Sequence, residues 1–336
     1  MSNRTNGSVV RELEREFARY VGAEYAIACC NGTATLHTAL VALGVQPGDH
    51  VAVPPLTMAS TTLAVLHAGA VPHYVDIDPD TWLMSDTQAR WVMPVSLYGL
   101  TNPAWSGAHD LGHGTVTDAA QALSAGDTDF SSFSFQASKI LSVGEGGMLV
   151  TDDAHLAYEA REIANLGYPA SLEQRGLKDP TVQRHVRVGW NYRLSDLQAA
   201  HLLPQLARAD EILAARKYAA KCYRQAIAGC EWITPQHVPD GWTHSWWSFA
   251  IALEEPNHWE PLASEIVVQG GERPYAAWRL TYQEPAFRHL APDGTCPVAE
   301  DLQPRLVQLQ TNYDRPQAEH AADCLRRAIE ICNVLV

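Results

Sequence analysis

Lys139 lies in a sequence setting that suits the chemistry of a reactive amine. It follows residues 133–138, which include the end of a predicted strand, and it precedes the glycine-rich run 142–148. An amine beside a bound carbonyl compound can form an imine with it, be displaced by a substrate amine, and then act as a general base. A lysine taken alone is nearly always a solvated surface charge, so the residues that accompany it decide the interpretation.

A second candidate feature is Asn-Gly-Thr-Ala-Thr at residues 31–35, between a predicted buried strand and a predicted helix. Unpaired amides and the positive end of the helix converge on an anion at such a junction. Gly32 lets the backbone approach closely, and Thr33 adds a hydroxyl donor. The alternative is an ordinary N-cap turn, because junctions of this kind are common.

Asp118 follows the predicted strand 115–117 and is expected at the carboxyl edge of the sheet, where open α/β folds place ligands. A buried carboxylate needs a cation, and a protonated pyridine nitrogen would serve. An aspartate that caps the next helix is the competing interpretation. The ordered set of anion cradle, acid and amine predicts a pyridoxal phosphate site, and hydroxyls crowd the approach to the lysine at Ser131, Ser132, Ser134 and Ser138.

Short apolar runs alternate with helical patterns from residue 8 to about 200, which predicts an α/β sheet covered on both faces. A helix is predicted over 33–43, and strands over 26–29, 51–53, 71–75, 91–95, 115–117, 130–135 and 148–151. Ser195 and Gln198 have the spacing of a capping box, which predicts the start of a helix that bridges two domains. We predict a large domain at 1–205 and a smaller α+β domain at 206–336, closed by an amphipathic helix over 318–332.

The composition argues against several classes of partner. With 24 basic and 38 acidic residues the formal net charge is -14, which repels nucleic acid and offers no broad basic surface. The seven cysteines are odd in number and lack metal-ligand spacing, which favours reduced thiols. We see no signal sequence and no apolar run of about 18 residues, so a cytoplasmic protein without membrane contact is expected.

Two further patterns have a structural and a functional interpretation. His109 and His113 are four residues apart, but Gly112 and Gly114 favour a loop over the helix of a zinc site, so no metal is expected. A tryptophan cluster could be a sugar platform, although core packing or a dimer contact is the favoured interpretation. Its members are Trp242, Trp246, Trp247 and Trp259.

A set of motifs in fixed order extends over nearly the whole chain. They are NGTATLH at 31–37, LGVQPGD at 43–49, VDIDPDT at 75–81, PVSLYG at 94–99, GEGG at 144–147, GWNYRLS at 189–195 and PVAE at 297–300. In these motifs the chain resembles the pyridoxal-phosphate-dependent sugar aminotransferases of the DegT/DnrJ/StrS family. The resemblance implies the type I fold of aspartate aminotransferase, which has a three-layer α/β/α large domain with a mostly parallel mixed sheet and a smaller α+β C-terminal domain.

The resemblance also implies roles for individual residues. Lys139 would form the Schiff base and Asp118 would contact the pyridine nitrogen, with Gln121 against the ring hydroxyl. Met58 stands where an aromatic residue commonly stacks on the cofactor ring, and its thioether can replace part of that contact. The phosphate would be held by Gly32, Thr33, Ala34 and Ser134, with Asn191 reaching it from the neighbouring subunit of a homodimer.

Substrate contacts are expected from Arg193, as an anchor for a carboxylate or a substrate phosphate, and from Tyr98, Trp278, Arg279 and Tyr282. The implied reaction moves an amino group from L-glutamate to a nucleotide-linked keto-deoxy sugar, with pyridoxamine phosphate as the intermediate cofactor form. The alternatives are a keto-cyclitol acceptor, a sugar dehydratase and a non-catalytic regulatory homologue. Lys139 argues against the dehydratase, because the dehydratase branch of the family has histidine at that position.

Overall fold

The computed structural model describes residues 7–103, 114–169, 181 and 184–333. Its α-helices are α1 Ser8–Val21, α2 Gly32–Ala42, α3 Ser60–His67, α4 Ala154–Ala164, α5 Asp196–Leu206, α6 Ala209–Ala226, α7 Trp259–Val268, α8 Pro297–Leu302 and α9 Arg315–Cys332. Short 3-10 helices lie at Leu97–Gly99, Pro256–His258, Thr281–Gln283 and Gln303–Arg305.

The strands form a large mixed sheet and two smaller sheets. They are β1 Tyr25–Cys29, β2 His50–Val53, β3 Val71–Tyr74, β4 Trp91–Val92, β5 Leu100–Thr101, β6 Gly114–Asp118, β7 Phe130–Ser134, β8 Gly147–Thr151, β9 Ile233–Pro235, β10 Thr243–His244, β11 Ser248–Leu253, β12 Tyr275–Ala276 and β13 Leu306–Gln310. The large sheet has the order β1-β8-β7-β6-β4-β2-β3. Strand β8 runs antiparallel to both of its neighbours, and the other pairs of this sheet are parallel.

Helices cover both faces of the large sheet. In β1, Ile27 and Cys29 belong to one core, whereas Ala26 and Ala28 belong to another on the opposite face. Residues of α2, α3 and α4 line the first core, and residues of α1 and α5 line the second. The alternation arises because successive side chains of a strand point to opposite faces. The predicted three-layer α/β/α domain is confirmed.

The chain after α5 forms a second part of the molecule around an antiparallel sheet of order β12-β13-β11-β9. Its core combines residues of that sheet with residues of α6, α7 and α9. Helix α6 belongs to both parts of the molecule, since Ala209 lies in a core of the large sheet and Tyr223 lies in the core of the small one. The boundary between 205 and 206 therefore stays a prediction.

Most predicted elements match observed ones, with specific differences. The box at Ser195 and Gln198 caps α5, with both reciprocal hydrogen bonds formed. The strand predicted over 91–95 ends at Val92, and Val95 forms an isolated bridge with Asp118 instead. Helices α3, α4 and α7 were not among the predicted elements. No helix in the described part of the chain is both long and apolar enough to cross a membrane.

Candidate active site

The site begins at Asp118, the last residue of β6, at the carboxyl edge of the parallel strands. The carboxylate is buried and has two donors. The Thr61 hydroxyl donates to Oδ2 at 2.9 Å, and the Ala120 amide donates to Oδ1 at 3.2 Å. These bonds fix the orientation of the carboxylate toward the cleft, so it is pre-organised for a cationic partner.

Asp118 and Lys139 shift each other's proton equilibria. Burial raises the pKa of the Asp118 carboxyl, while the bonds from Thr61 and Ala120 and the charge of Lys139 oppose that shift. Burial lowers the pKa of the Lys139 amine, and the charge of Asp118 opposes it. The lysine is thus brought closer to the neutral form that a nucleophile or a base needs.

Lys139 follows β7 by a short turn and lies over an aromatic ring. Its Nζ atom is 4.9 Å from the ring centroid of Trp247. The Trp247 indole is oriented by two contacts: its Nε1 donates to the Ser138 carbonyl at 2.8 Å, and its ring stacks on Trp278 with centroids 5.9 Å apart. This aromatic wall holds the lysine side chain at the cleft.

The predicted anion cradle lies at the start of α2, opposite β7. A Cβ atom at Gly32 would lie 2.9 Å from Cβ of Ser134, so only glycine allows this approach. Thr33 Oγ1 donates to Ser60 Oγ at 2.9 Å. The Ala34 amide donates to the Asn31 side chain at 2.8 Å as the helix cap, and the predicted phosphate contact of Ala34 stays a prediction.

These residues meet in one open cleft with an empty volume of about 1260 Å³. Of the residues predicted for the site, Gly32, Thr33, Met58, Asp118, Gln121, Ser134, Lys139 and Trp278 line it. The amine and the carboxylate therefore face the same cavity, as a single bound ring requires. Met58 is 46% exposed, and its sulfur accepts from the amide and hydroxyl of Ser60 at 3.1 and 3.0 Å.

Tyr98 does not reach the cleft as the sequence predicted. Its side chain is completely buried, packs edge-on against Trp82, and has no hydrogen-bond partner for its hydroxyl among the described residues. The backbone at Tyr98 has φ 61°, in the left-handed region, and its amide donates to Gln121 Oε1 at 2.6 Å. In the single chain Tyr98 therefore lies outside the cleft and orients Gln121 through its backbone amide.

Other predicted substrate residues lie away from Lys139 in the single chain. Arg279 and Tyr282 line a separate cleft of about 730 Å³ with Arg288. Arg193 Nη1 donates to Asn165 Oδ1 at 3.1 Å. Asn191 is exposed and lines none of the clefts described here. His109 and His113 lie outside the described residues.

Several residues of the site are not predicted from the sequence. Thr61 orients Asp118, and Thr57 lies 3.1 Å from the Thr61 hydroxyl. The run of hydroxyl residues over 57–62 was an available signal, but only Met58 was singled out within it. Trp247 belonged to a cluster for which packing was favoured, and it lines a cleft beside Lys139.

The site fits pyridoxal phosphate by its own chemistry. It offers a buried carboxylate for a ring cation, an amine of lowered pKa, and a helix start whose first amides have no intrahelical partner. The close approach at Gly32 leaves the helix start free of side-chain bulk. These groups suit a flat ligand that has a cationic ring and an anionic phosphate.

Comparisons with known proteins agree with this assignment. Residues 2–323 match the model of the DegT/DnrJ/EryC1/StrS aminotransferase family. GDP-perosamine synthase of Caulobacter vibrioides is 37% identical over 270 residues, which are 74% of this chain and 70% of that protein. The structure of DesV from S. venezuelae superposes with a TM-score of 0.86 at 29% identity, covering 96% of this chain and 90% of that chain. A synthase of 3-amino-5-hydroxybenzoic acid superposes with a TM-score of 0.84 at 28% identity, covering 98% and 92%.

Fold and site together define a pyridoxal-phosphate-dependent aminotransferase of the type I fold. The match extends over most of the chain and includes both parts of the structure. The chain belongs to the DegT/DnrJ/EryC1/StrS aminotransferase family.

Proposed function

We propose that this aminotransferase takes the amino group of L-glutamate, releases 2-oxoglutarate, and passes the amino group to a nucleotide-linked keto-deoxy sugar. The product is an amino sugar that remains attached to its nucleotide. The observation that carries the proposal is the shared cleft of Lys139 and Asp118, with the start of α2 at its edge. The sugar class is supported by the similarity to GDP-perosamine synthase.

When bound, pyridoxal phosphate supplies an electrophilic carbon and a ring that withdraws electrons. Asp118 would hold the ring nitrogen and favour its protonated form, because a buried carboxylate is stabilised by an adjacent cation. The Gln121 side chain, held by the Tyr98 amide, lies at the same cleft and orients the ring. Thr33 and Ser134 offer hydroxyls to the phosphate.

Lys139 has two tasks in this proposal. Its amine would hold the cofactor in the resting enzyme, and once released it would serve as the base that takes a proton from the substrate and the acid that returns it. The lowered pKa raises the fraction of neutral amine at a given pH. The Trp247 ring, whose centroid is 4.9 Å from Nζ, would hold the released amine at the cleft.

Replacing the lysine tests this assignment. Lys139→Ala is expected to lower turnover by at least about 10²–10⁴-fold, because it removes the residue that transfers the proton. Steady-state formation of 2-oxoglutarate measures this loss. Borohydride reduction of the wild-type protein, followed by peptide mass mapping, is expected to place the label on Lys139. A label on another lysine would refute the assignment.

The acceptor class is tested by pairing L-glutamate with different ketones. A nucleotide-linked keto-deoxy sugar is expected to drive glutamate consumption faster than a keto-cyclitol. The keto-cyclitol stays a second candidate because of the similarity to the synthase of 3-amino-5-hydroxybenzoic acid, a carbocyclic compound. Faster turnover of the cyclitol would reverse the order of the two candidates.

The assembly and location belong to the same proposal. We infer a cytoplasmic homodimer in which Asn191 of one subunit contacts the cofactor phosphate in the other. Support comes from the exposed position of Asn191, which lies away from the cleft of its own chain. Val188 and Leu197, on either side of it in sequence, are 81% and 70% exposed, and such apolar surface favours a subunit contact.

A further inference from the structure

A second cleft opens beside Lys139 on the side of the small sheet. Its empty volume is about 990 Å³, and residues of β11, β12 and β13 form much of its wall. Ser138, Lys139 and Trp278 line both this cleft and the cofactor cleft. A ligand in the second cleft would therefore extend to the reactive amine.

Arg216, from α6, lines this second cleft although its side chain is only 6% exposed. Its Nη1 donates to the Trp247 carbonyl at 3.1 Å and to Thr311 Oγ1 at 3.0 Å. Its Nε is buried and has no partner among the residues that the structure describes. Both partners are neutral, so the guanidinium charge is not balanced by them.

No carboxylate in the described part of the chain pairs with Arg216, and none lines the second cleft. Glu272 accepts a bond from Gln310 and lines a different pocket. Burial lowers the pKa of Arg216 to about 10, with no opposing contribution from an acid. A buried charge without a partner costs several kcal/mol, so the site is built for a ligand that supplies the missing charge.

A second unpartnered group lies in the same wall. Ser248 Oγ is buried without a hydrogen-bond partner among the described residues. Apart from Lys139, the remaining polar lining consists of neutral side chains, from Ser138, Tyr275, Gln308, Gln310 and Asn312. A cation, neutral donors and no acid make a wall that suits an oxyanion.

We propose that this second cleft is an oxyanion subsite, in which Arg216 binds the carboxylate or phosphate group of a substrate while the reacting carbon of that substrate lies at Lys139. Trp247 joins the two groups, since its carbonyl accepts from Arg216 and its ring lies under Nζ of Lys139. This inference rests on the proposed function, because the two proposed substrates would supply the anion. The amino donor supplies a carboxylate, and the nucleotide sugar supplies phosphates.

Calorimetric titration of the cofactor-loaded protein with unreactive probes tests the subsite without turnover. Glutarate represents the donor and inorganic pyrophosphate represents the nucleotide. The wild type is expected to bind at least one probe, and Arg216→Gln is expected to weaken that binding by about tenfold or more. Binding of glutarate assigns the subsite to the donor, and binding of pyrophosphate assigns it to the acceptor.

Thr311→Val is the matched control, because it removes a neutral partner of Arg216 and leaves the charge in place. It is expected to leave probe affinity within about twofold. If Arg216→Gln does not fold, Arg216→Lys replaces it, and the loss is expected to exceed that of Thr311→Val because lysine lacks the planar fork. Equal affinities in the wild type and the arginine variant, or no binding of either probe by the wild type, would overturn the proposal. If probe binding depends on Arg216 but no amino group is transferred from glutamate, the subsite proposal stands and the proposed function is rejected.

Discussion

Asp118 depends on one hydroxyl that the sequence did not single out. Thr61 donates to its carboxylate from the first turns of α3, and both groups are buried. Charge-assisted bonds of this kind are worth about 1.5–3 kcal/mol. The largest contribution that opposes the effect of burial on the Asp118 pKa therefore comes from a threonine 57 positions earlier in the chain.

Thr61→Val removes this donor and keeps the volume. The Asp118 pKa rises further, so the carboxylate is protonated at higher pH and the acidic limb of the kcat/KM profile shifts to higher pH. The profile over the acidic range measures the shift. Thr62→Val is the control, because the Thr62 hydroxyl lies within hydrogen-bond distance of Tyr74 and Thr281, whereas the donors to Asp118 are Thr61 and Ala120. An equal shift in both variants would contradict the assignment.

At this scale the sequence predicted the residues with a local signature. Lys139, Asp118 and Gly32 each follow or precede a strand, and strand ends are visible in the pattern of apolar residues. Thr61 and Arg216 act through contacts between distant segments, which no local pattern encodes. Tyr98 lies in a motif of the family, but its φ of 61° turns the side chain into the core.

The first residue of β8, Gly147, lies against the backbone of the anion cradle at Asn31 and Gly32. A Cβ atom at Gly147 would lie 2.5 Å from the Asn31 carbonyl oxygen and 3.0 Å from the Gly32 nitrogen. Both are backbone atoms, which cannot rotate away as a side chain can. The β8 strand and the start of α2 can therefore approach this closely only because Gly147 has no side chain.

Gly147→Ala is expected to displace the start of α2 and weaken cofactor binding, with a loss of stability of about 1–3 kcal/mol. Fluorescence titration with pyridoxal phosphate and urea unfolding measure the two effects. Gly146→Ala is the control, because the three atoms nearest to its Cβ would be side-chain atoms, each at 3.3 Å. Unchanged cofactor affinity in Gly147→Ala would show that the cradle tolerates the displacement.

Elements were predictable to different degrees for physical reasons. Strands such as β1, β2 and β8 are buried on both faces and appear as short apolar runs. A helix such as α7 depends on packing against α9, which the local sequence does not reveal. The predicted strand over 91–95 was too long, because Val95 pairs with Asp118 by one bridge only.

In the proposed homodimer, each active site needs Lys139 from one subunit and Asn191 from the other. Mixing Lys139→Ala subunits with Asn191→Ala subunits by refolding gives half mixed dimers, each with one complete site, so about one quarter of wild-type activity is expected. Mixing Lys139→Ala with Asp118→Asn is the control, since both residues belong to the same chain's site and no complete site forms. Activity no greater in the first mixture than in the second would exclude a shared site.

Helix α6 is embedded at its first residues in one core and at its last residues in the other. Unfolding of either part removes packing contacts of α6, which also belongs to the core of the other part. Denaturation of the two parts is thereby coupled, and a destabilising change near the C-terminus lowers the melting point of the cofactor-binding part as well.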